Sequence, residues 1–275
     1  MENIISQNNG KVRTVVRLLS GPKERKYLGR YVVEGTRMVR EIPDKDLDSI
    51  FMTQAYVDKT MNEDFRIRNL VEKAVLRSRC YIVTEPIIRK MSDTRHPQGI
   101  IATVNTKNYT VDELLQEGGS TPMFIVLERL QDPGNMGTII RTAEAAGATG
   151  ILISYDSVDI YSPKVVRATM GSIFRMKFAN TFDIIGDLTK MKNAGIRLYG
   201  MHLNGSSIYE TDLRQPAAFL IGNEGAGLTN EVSRQVDSLL KIPMKGEVES
   251  LNAAASATVI MYETMRQRYA DKYNM

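Results

Sequence analysis

From residue 123 onward, six short apolar runs recur between stretches of helical periodicity: MFIVLE (123–128), GILIS (150–154), RMKFAN (175–180), IRLYGM (196–201), AAFLIG (217–222) and SLLKIPM (238–244). The runs are largely continuous rather than alternating, as strands covered on both faces must be, and the helical segments between them supply crossovers. This pattern predicts an α/β domain with a mostly parallel sheet. At 275 residues and 43% hydrophobic composition, the chain is long enough for a second core. The N-terminal part supplies its elements: a basic helix near 11–20, strands YVVEG (31–35), SIFMT (49–53), CYIVT (80–84) and GIIATV (99–104), and a charged amphipathic stretch near 62–78. Polar KNYTVDELLQEGGSTP, containing Gly118, Gly119 and Pro122, separates the two patterns. The expected organisation is a small α/β domain over 1–108, a linker at 109–121 and a second domain over 122–275.

The formal net charge is only +4, but between Lys11 and Lys26 Glu24 is the lone acid among many basic residues. Lys11, Arg13 and Arg17 are therefore candidates for contact with a polyanion, the alternative being a solvated helix face. A single cysteine, Cys80, excludes an intramolecular disulfide and a cysteine-based zinc site. The opening MENIISQNNG has no secretion-signal pattern, and no apolar run approaches the ~20 residues that span a bilayer, so a cytoplasmic protein without membrane insertion is expected. His96 and His202 have no partner at ligand spacing; structural or surface roles are expected for both, and no metal site. The many methionines read as packing residues.

Three segments carry candidate chemistry. In Glu128–Ala143, Asn135 can cap a helix whose apolar Met136, Ile139, Ile140 and Ala143 share one face, leaving Thr138 and Arg141 on another. Taken alone, Arg141 is equally a surface ion pair. In Phe219–Leu228 a strand runs into a glycine-rich loop, where ligands of open α/β sheets sit. Its glycine order is GxxGxG, it lacks a Walker lysine, and Glu224 would oppose a phosphate. A phosphate-free adenine ligand bearing a cation suits this loop, the alternative being a tight turn that needs glycine for backbone geometry alone. In the third segment, Lys241–Met244 precedes Val248–Ala257, where Ser250 can cap the last helix and small residues from Ala253 allow close approach.

Together, Asn-x-Gly-x-x-x-Arg (135–141), Gly-Asn-Glu-Gly (222–225) and Ile-Pro-Met with Glu-Ser-Leu-Asn (242–252) resemble, in order and spacing, the three motifs of the SpoU (TrmH-like) family of SPOUT RNA 2'-O-ribose methyltransferases. The stretch Ser162–Gly171 is similar to the family too. Tyr31–Gly35 and Pro97–Gly99 resemble the L30e-like substrate-binding domain that many members carry. The resemblance implies S-adenosylmethionine as cofactor, a deep trefoil knot in the C-terminal domain, a homodimer and an RNA substrate, ribosomal favoured over transfer RNA. Carried over by position, it places cofactor contacts at Leu203, Gly222, Ile242, Met244 and Leu251, with the strand end 201–203 nearby. It places the reaction at Arg141, with Asn135, Glu224, Ser250 and Asn252 lining the site. RNA would contact Arg141 and Arg167 besides Lys11, Arg13 and Arg17. The alternatives are a transfer-RNA substrate, a non-catalytic RNA-binding protein on the same scaffold, and a Rossmann-type dehydrogenase, which the glycine order disfavours.

Overall fold

The computed structural model describes residues 1–60, 63–117 and 119–273. Gly118 and the beginning of the 62–78 stretch lie outside the described residues. Contacts divide the chain into two compact units, Met1–Thr106 with Asp159–Phe174, and Lys107–Val158 with Arg175–Met275. The strands, in chain order, are β1 (Glu2–Ile4), β2 (Arg30–Glu34), β3 (Leu47–Thr53), β4 (Cys80–Val83), β5 (Ile100–Asn105), β6 (Met123–Leu127), β7 (Gly150–Ser154), β8 (Phe178–Thr181), β9 (Arg197–Ser207), β10 (Ala217–Ile221) and β11 (Ser238–Lys241).

The first unit holds a five-stranded sheet in the order β1-β4-β3-β5-β2. β1, β4 and β3 run parallel, and β5 pairs antiparallel with both β3 and β2. The Gly10–Ser20 helix is capped by Asn9, whose side chain accepts from Lys11 N. Its Val12, Val15 and Leu18 recur at helical spacing and pack in one buried cluster with Val32, Phe51 and Ile101. The two stretches resembling a substrate-binding domain meet here: the Gln98 amide oxygen accepts from Thr36 N (2.8 Å), and Glu34 accepts from the hydroxyls of Ser92 and Thr94. Cys80 is buried, and burial pushes its thiol up to about 11, so it is not a nucleophile at neutral pH.

Two expectations change in this unit. Asp159–Phe174, expected within the second domain, belongs with the first unit: the Tyr161 ring lies 4.5 Å from that of Tyr31, and Asp159 pairs with Arg25. Arg25, which lies within the basic Lys11–Lys26 stretch, is structural. It is buried, lies 2.7 Å from Asp159 and donates to the carbonyls of Leu18 and Leu19 at the end of the first helix. Removing one partner of a buried pair strands the other, so Arg25→Ala is expected to lower unfolding free energy by about 3–5 kcal/mol. Exposed Arg13→Ala should change it by no more than about 0.5 kcal/mol. Urea titration of both variants checks the contrast.

The second unit holds a six-stranded sheet, order β11-β9-β10-β6-β7-β8, in which every neighbouring pair is parallel. Its strands coincide with the six apolar runs, because a parallel strand with helices on both faces needs unbroken hydrophobicity. Phe124, Val126, Leu152, Leu198, Ala218 and Leu220 project into one core with Leu188 and Met191 of the Ile184–Asn193 helix. The 109–121 stretch, expected as a linker, enters that core. Thr110 and Glu113 form a capping box for a Val111–Gln116 helix, which buries Val111 and Leu114. Among the described residues, no helix is long and apolar enough to cross a membrane, and no cluster of histidine, cysteine, aspartate and glutamate could hold a metal.

Candidate functional site

At the carboxyl ends of β10 and β11, beside the middle of β9, a cavity of about 310 Å³ opens. This is the end of a parallel sheet where ligands are received. β9 builds one wall by an irregularity: Leu239 pairs with Gly200 but Leu240 with Ser206, so 201–205 loop out of the ladder. The bulge presents Met201, His202 and Leu203 to the cavity. What was expected as a strand end is thus an excursion within a longer strand. It closes tightly at Gly205, where an added Cβ would lie 2.5 Å from the Leu239 backbone. Its signal in the sequence, a lone glycine after polar Asn204, is indistinguishable from an ordinary turn.

The glycine loop forms the second wall. Gly222 is glycine because the loop folds back on itself: a Cβ there would lie 2.1 Å from the Gly227 carbonyl carbon. Asn223 organises the turn. Its side-chain oxygen accepts from Gly225 N and Ala226 N, each at 3.0 Å, its amide donates to Arg129 O, and its backbone exchanges hydrogen bonds with Gly227. The amides that would cradle a phosphate are consumed within the loop. Apolar Ile242, Met244 and Leu251 complete the cavity, with Ser250. The structure thereby brings Leu203, Gly222, Ile242, Met244 and Leu251 to one cavity. It also places His202 in the wall, within the 201–203 stretch expected near the cofactor, its Nδ1 accepting from Asn204 N at 3.1 Å.

A polar chain ties the cavity to the Pro133–Ala145 helix. The Glu224 carboxylate accepts from Gln131 N (3.1 Å), Asp132 N (2.9 Å) and the Asn135 side-chain amide (3.1 Å). The Asn252 amide in turn donates to the Asn135 oxygen at 2.9 Å. Neither expected cap is made as anticipated. Asp132 caps the Pro133–Ala145 helix, accepting from Asn135 N, because Asp-Pro places a cap before a proline at the start of the helix. This frees the buried Asn135 side chain to bridge Glu224 and Asn252. At the last helix Asn252, not Ser250, accepts from Ala254 N and Ala255 N. A further link was missed: buried Glu128 accepts from Thr229 N and its hydroxyl, at 2.9 and 2.6 Å, locking the end of β6 to the loop after β10.

Partial burial alone would raise the Glu224 carboxyl, but the hydrogen bonds from Asp132, Asn135 and Gln131 outweigh it and hold the group below the usual carboxylate range. A folded-state value below the unfolded one stabilises the fold above the ordinary glutamate range, near ~4.3, and this contribution is lost as pH falls through the lowered folded value. Urea unfolding across pH 7 to 3 should therefore show the stability gap between wild type and Glu224→Gln constant at neutral pH and shrinking in acid. A gap that widens in acid contradicts this.

Met136, Ile139, Ile140 and Ala143 are buried, while Thr138 and Arg141 share the exposed face of the helix, as their spacing requires. Arg141 has no hydrogen-bond or ion-pair partner among the described residues. It is not among the residues lining the cavity of its own chain. Arg167, expected beside it, belongs to the first unit and pairs with Asp93 at 2.6 Å, so its charge is already matched. On the first helix, Lys11 and Arg17 pair with Glu2 and Glu24 at 3.6 and 2.8 Å, whereas exposed Arg13 has no partner among the described residues. His96 is exposed in the first unit, away from this chemistry.

Residues 122–262 match the SpoU rRNA Methylase family, and residues 9–102 match an MRM3-like substrate binding domain. The chain is 32% identical to an uncharacterized tRNA/rRNA methyltransferase of Synechocystis sp., covering 98% of this chain and 95% of that one. It is 28% identical to the 23S rRNA (guanosine(2553)-2'-O)-methyltransferase of Bacillus subtilis, covering 95% of this chain and 98% of the relative. Among solved structures, the AdoMet-bound rRNA methyltransferase from Sinorhizobium meliloti aligns with a TM-score of 0.83 at 28% identity, over 96% of this chain and 97% of that one. The family match over 122–262, the relative 32% identical over nearly the whole chain, and three ordered motifs joined through the Glu224–Asn135–Asn252 network place the chain in the SpoU rRNA methylase family.

Proposed function

We propose that the chain transfers a methyl group from S-adenosylmethionine to a ribose 2'-hydroxyl of ribosomal RNA. The observation that carries this reading is the cavity itself, walled by the second and third motifs and coupled through Glu224 and Asn135 to the first-motif helix, whose Arg141 has no partner among the described residues. The residues fit the cofactor: the loop amides are unavailable to a phosphate, the walls are largely apolar, and the volume reaches the ~300 Å³ typical of small-ligand sites. When bound, S-adenosylmethionine supplies an electrophilic methyl on a sulfonium centre.

The protein's task is then alignment, exclusion of water and help with the hydroxyl proton. Arg141, with a pKa above ~12, is a poor base; its guanidinium binds the phosphate next to the target ribose and stabilises charge developing on the attacking oxygen. The proton passes to that phosphate or to water. Glu224, Asn135 and Asn252 satisfy one another and hold the two loops in place, which makes them positioning residues. Ser250 contributes a hydroxyl to the cavity wall. Basic residues on the first unit, Arg13 foremost, contact the RNA backbone. A deep trefoil knot in the second unit, as the family resemblance implies, is part of this reading.

A homodimer acting in the cytoplasm completes the reading, with Arg141 serving the partner's cavity. Large apolar side chains left exposed in the second unit, Leu203 at 54%, Val248 at 61% and Tyr262 at 42%, support a covered surface there. Mixing inactive Arg141→Ala protein with an inactive cavity variant is expected to restore part of the transfer. No recovery from a verified mixed dimer overturns the shared site. For the reaction itself, purified protein is incubated with methyl-labelled S-adenosylmethionine and either unmodified ribosomal RNA or transfer RNA, and 2'-O-methyl nucleotides are mapped. Methylation of transfer RNA alone corrects the substrate; cofactor binding with no methylation of either marks a non-catalytic RNA-binding protein.

A further inference from the structure

A second cavity, of about 240 Å³, lies in the first unit and takes no part in the chemistry above. Lys11 of the Gly10–Ser20 helix, Arg30 at the start of β2 and Arg79 immediately before β4 bring three cations to it from separate elements. The sheet register explains the convergence. Ser49 stands opposite Thr103, Arg30 opposite Asn105, and Ile50 N donates to Arg79 O, so these residues gather at one end of the sheet's strands. Ser49 and Thr103 also line it, their hydroxyls bonded to each other at 2.6 Å and both to Asp48.

One acid shares the cavity, and it is already matched. Asp48 accepts from Arg30 (3.1 Å), Thr103 (2.8 Å) and Ser49 (3.3 Å). Lys11 lies 3.6 Å from Glu2 with its ammonium 4.9 Å from the Tyr81 ring centre. Arg79 has no acidic partner among the described residues; its guanidinium makes a single long bond, 3.4 Å, to Leu47 O, leaving most of its donors unused. Like charges around one small space repel, and a compact anion with several acceptor oxygens relieves the repulsion while using the spare donors. Lys11 and Arg79 are exposed, so a strand running over the surface reaches them.

We propose that this cavity is a phosphate-binding site that anchors a backbone phosphate of RNA on the first unit through Arg79, Lys11 and Arg30. The identity of the donor as RNA rests on the function proposed above; the site itself does not. The test uses full-length protein carrying Arg79→Ala, at an exposed position, with unmethylated 23S rRNA transcript as probe. The Kd is expected to rise roughly tenfold, as for loss of a charged hydrogen-bonding partner. The slope of log affinity against log salt should fall by about one, while melting temperature and S-adenosylmethionine affinity stay unchanged. Unaltered RNA affinity and salt slope in both Arg79→Ala and the Lys11→Ala/Arg79→Ala double variant overturn the proposal. Loss of adenosine monophosphate or inorganic phosphate binding in Arg79→Ala, with RNA affinity intact, assigns the cavity to a free anion and overturns the RNA assignment. Arg79-dependent RNA binding by a wild-type protein that methylates no RNA supports this site while refuting the proposed function.

Discussion

Replacing Arg141 with alanine is expected to slow methyl transfer about 10²–10³-fold while leaving the fold and the affinity for S-adenosylmethionine intact. The magnitude is that of removing one preorganised charge partner from a site where negative charge develops. The selectivity follows from position. Arg141 is exposed, has no partner among the described residues and lies outside the cavity walls, so its loss strands no buried group. Alanine also has the highest helix propensity, which protects the Pro133–Ala145 helix. Arg141→Lys keeps the charge but not the planar fork and should recover only part of the rate. Single-turnover transfer measured beside cofactor titration separates these outcomes; near-normal turnover in Arg141→Ala removes the arginine from the mechanism.

Gly222→Ala is expected to abolish cofactor binding, with an accompanying stability loss of about 1–3 kcal/mol from overpacking. The new methyl would lie 2.1 Å from the Gly227 carbonyl carbon, and the obstacle is backbone rather than a flexible side chain. Relieving the clash opens the Asn223–Gly227 closure and moves the wall shared with Leu228. Gly225→Ala is the control within the same loop. Its nearest contact would be the Asn223 side-chain oxygen at 3.7 Å, an ordinary separation, so near-normal cofactor affinity is expected. Calorimetric titration of both variants decides the matter, and equal behaviour of the two would show that loop closure does not shape the cavity.

The parallel sheet and the two faces of the Arg141 helix were legible in the sequence by itself, because both are written locally. A strand covered on two sides must be apolar throughout, as MFIVL and AAFLI are, and helical spacing puts Met136, Ile139 and Ile140 on one face and Thr138 with Arg141 on the other. The three motifs could likewise be recognised as a set, although nothing local says that they meet. Tertiary structure decided the rest. Asn252 and Asn135 are 117 residues apart and Glu224 and Asn135 89 apart, and only chain crossings turn three separate polar residues into one satisfied network. The same holds for Arg25 and Arg167. Both look like free surface cations in the sequence, yet each is claimed by an acid distant along the chain, Asp159 and Asp93. Composition and periodicity specify which residues avoid water. Which partner satisfies a polar group depends on how strands are ordered and where a ladder bulges, as β9 does at 201–205, and that is a property of the closed fold.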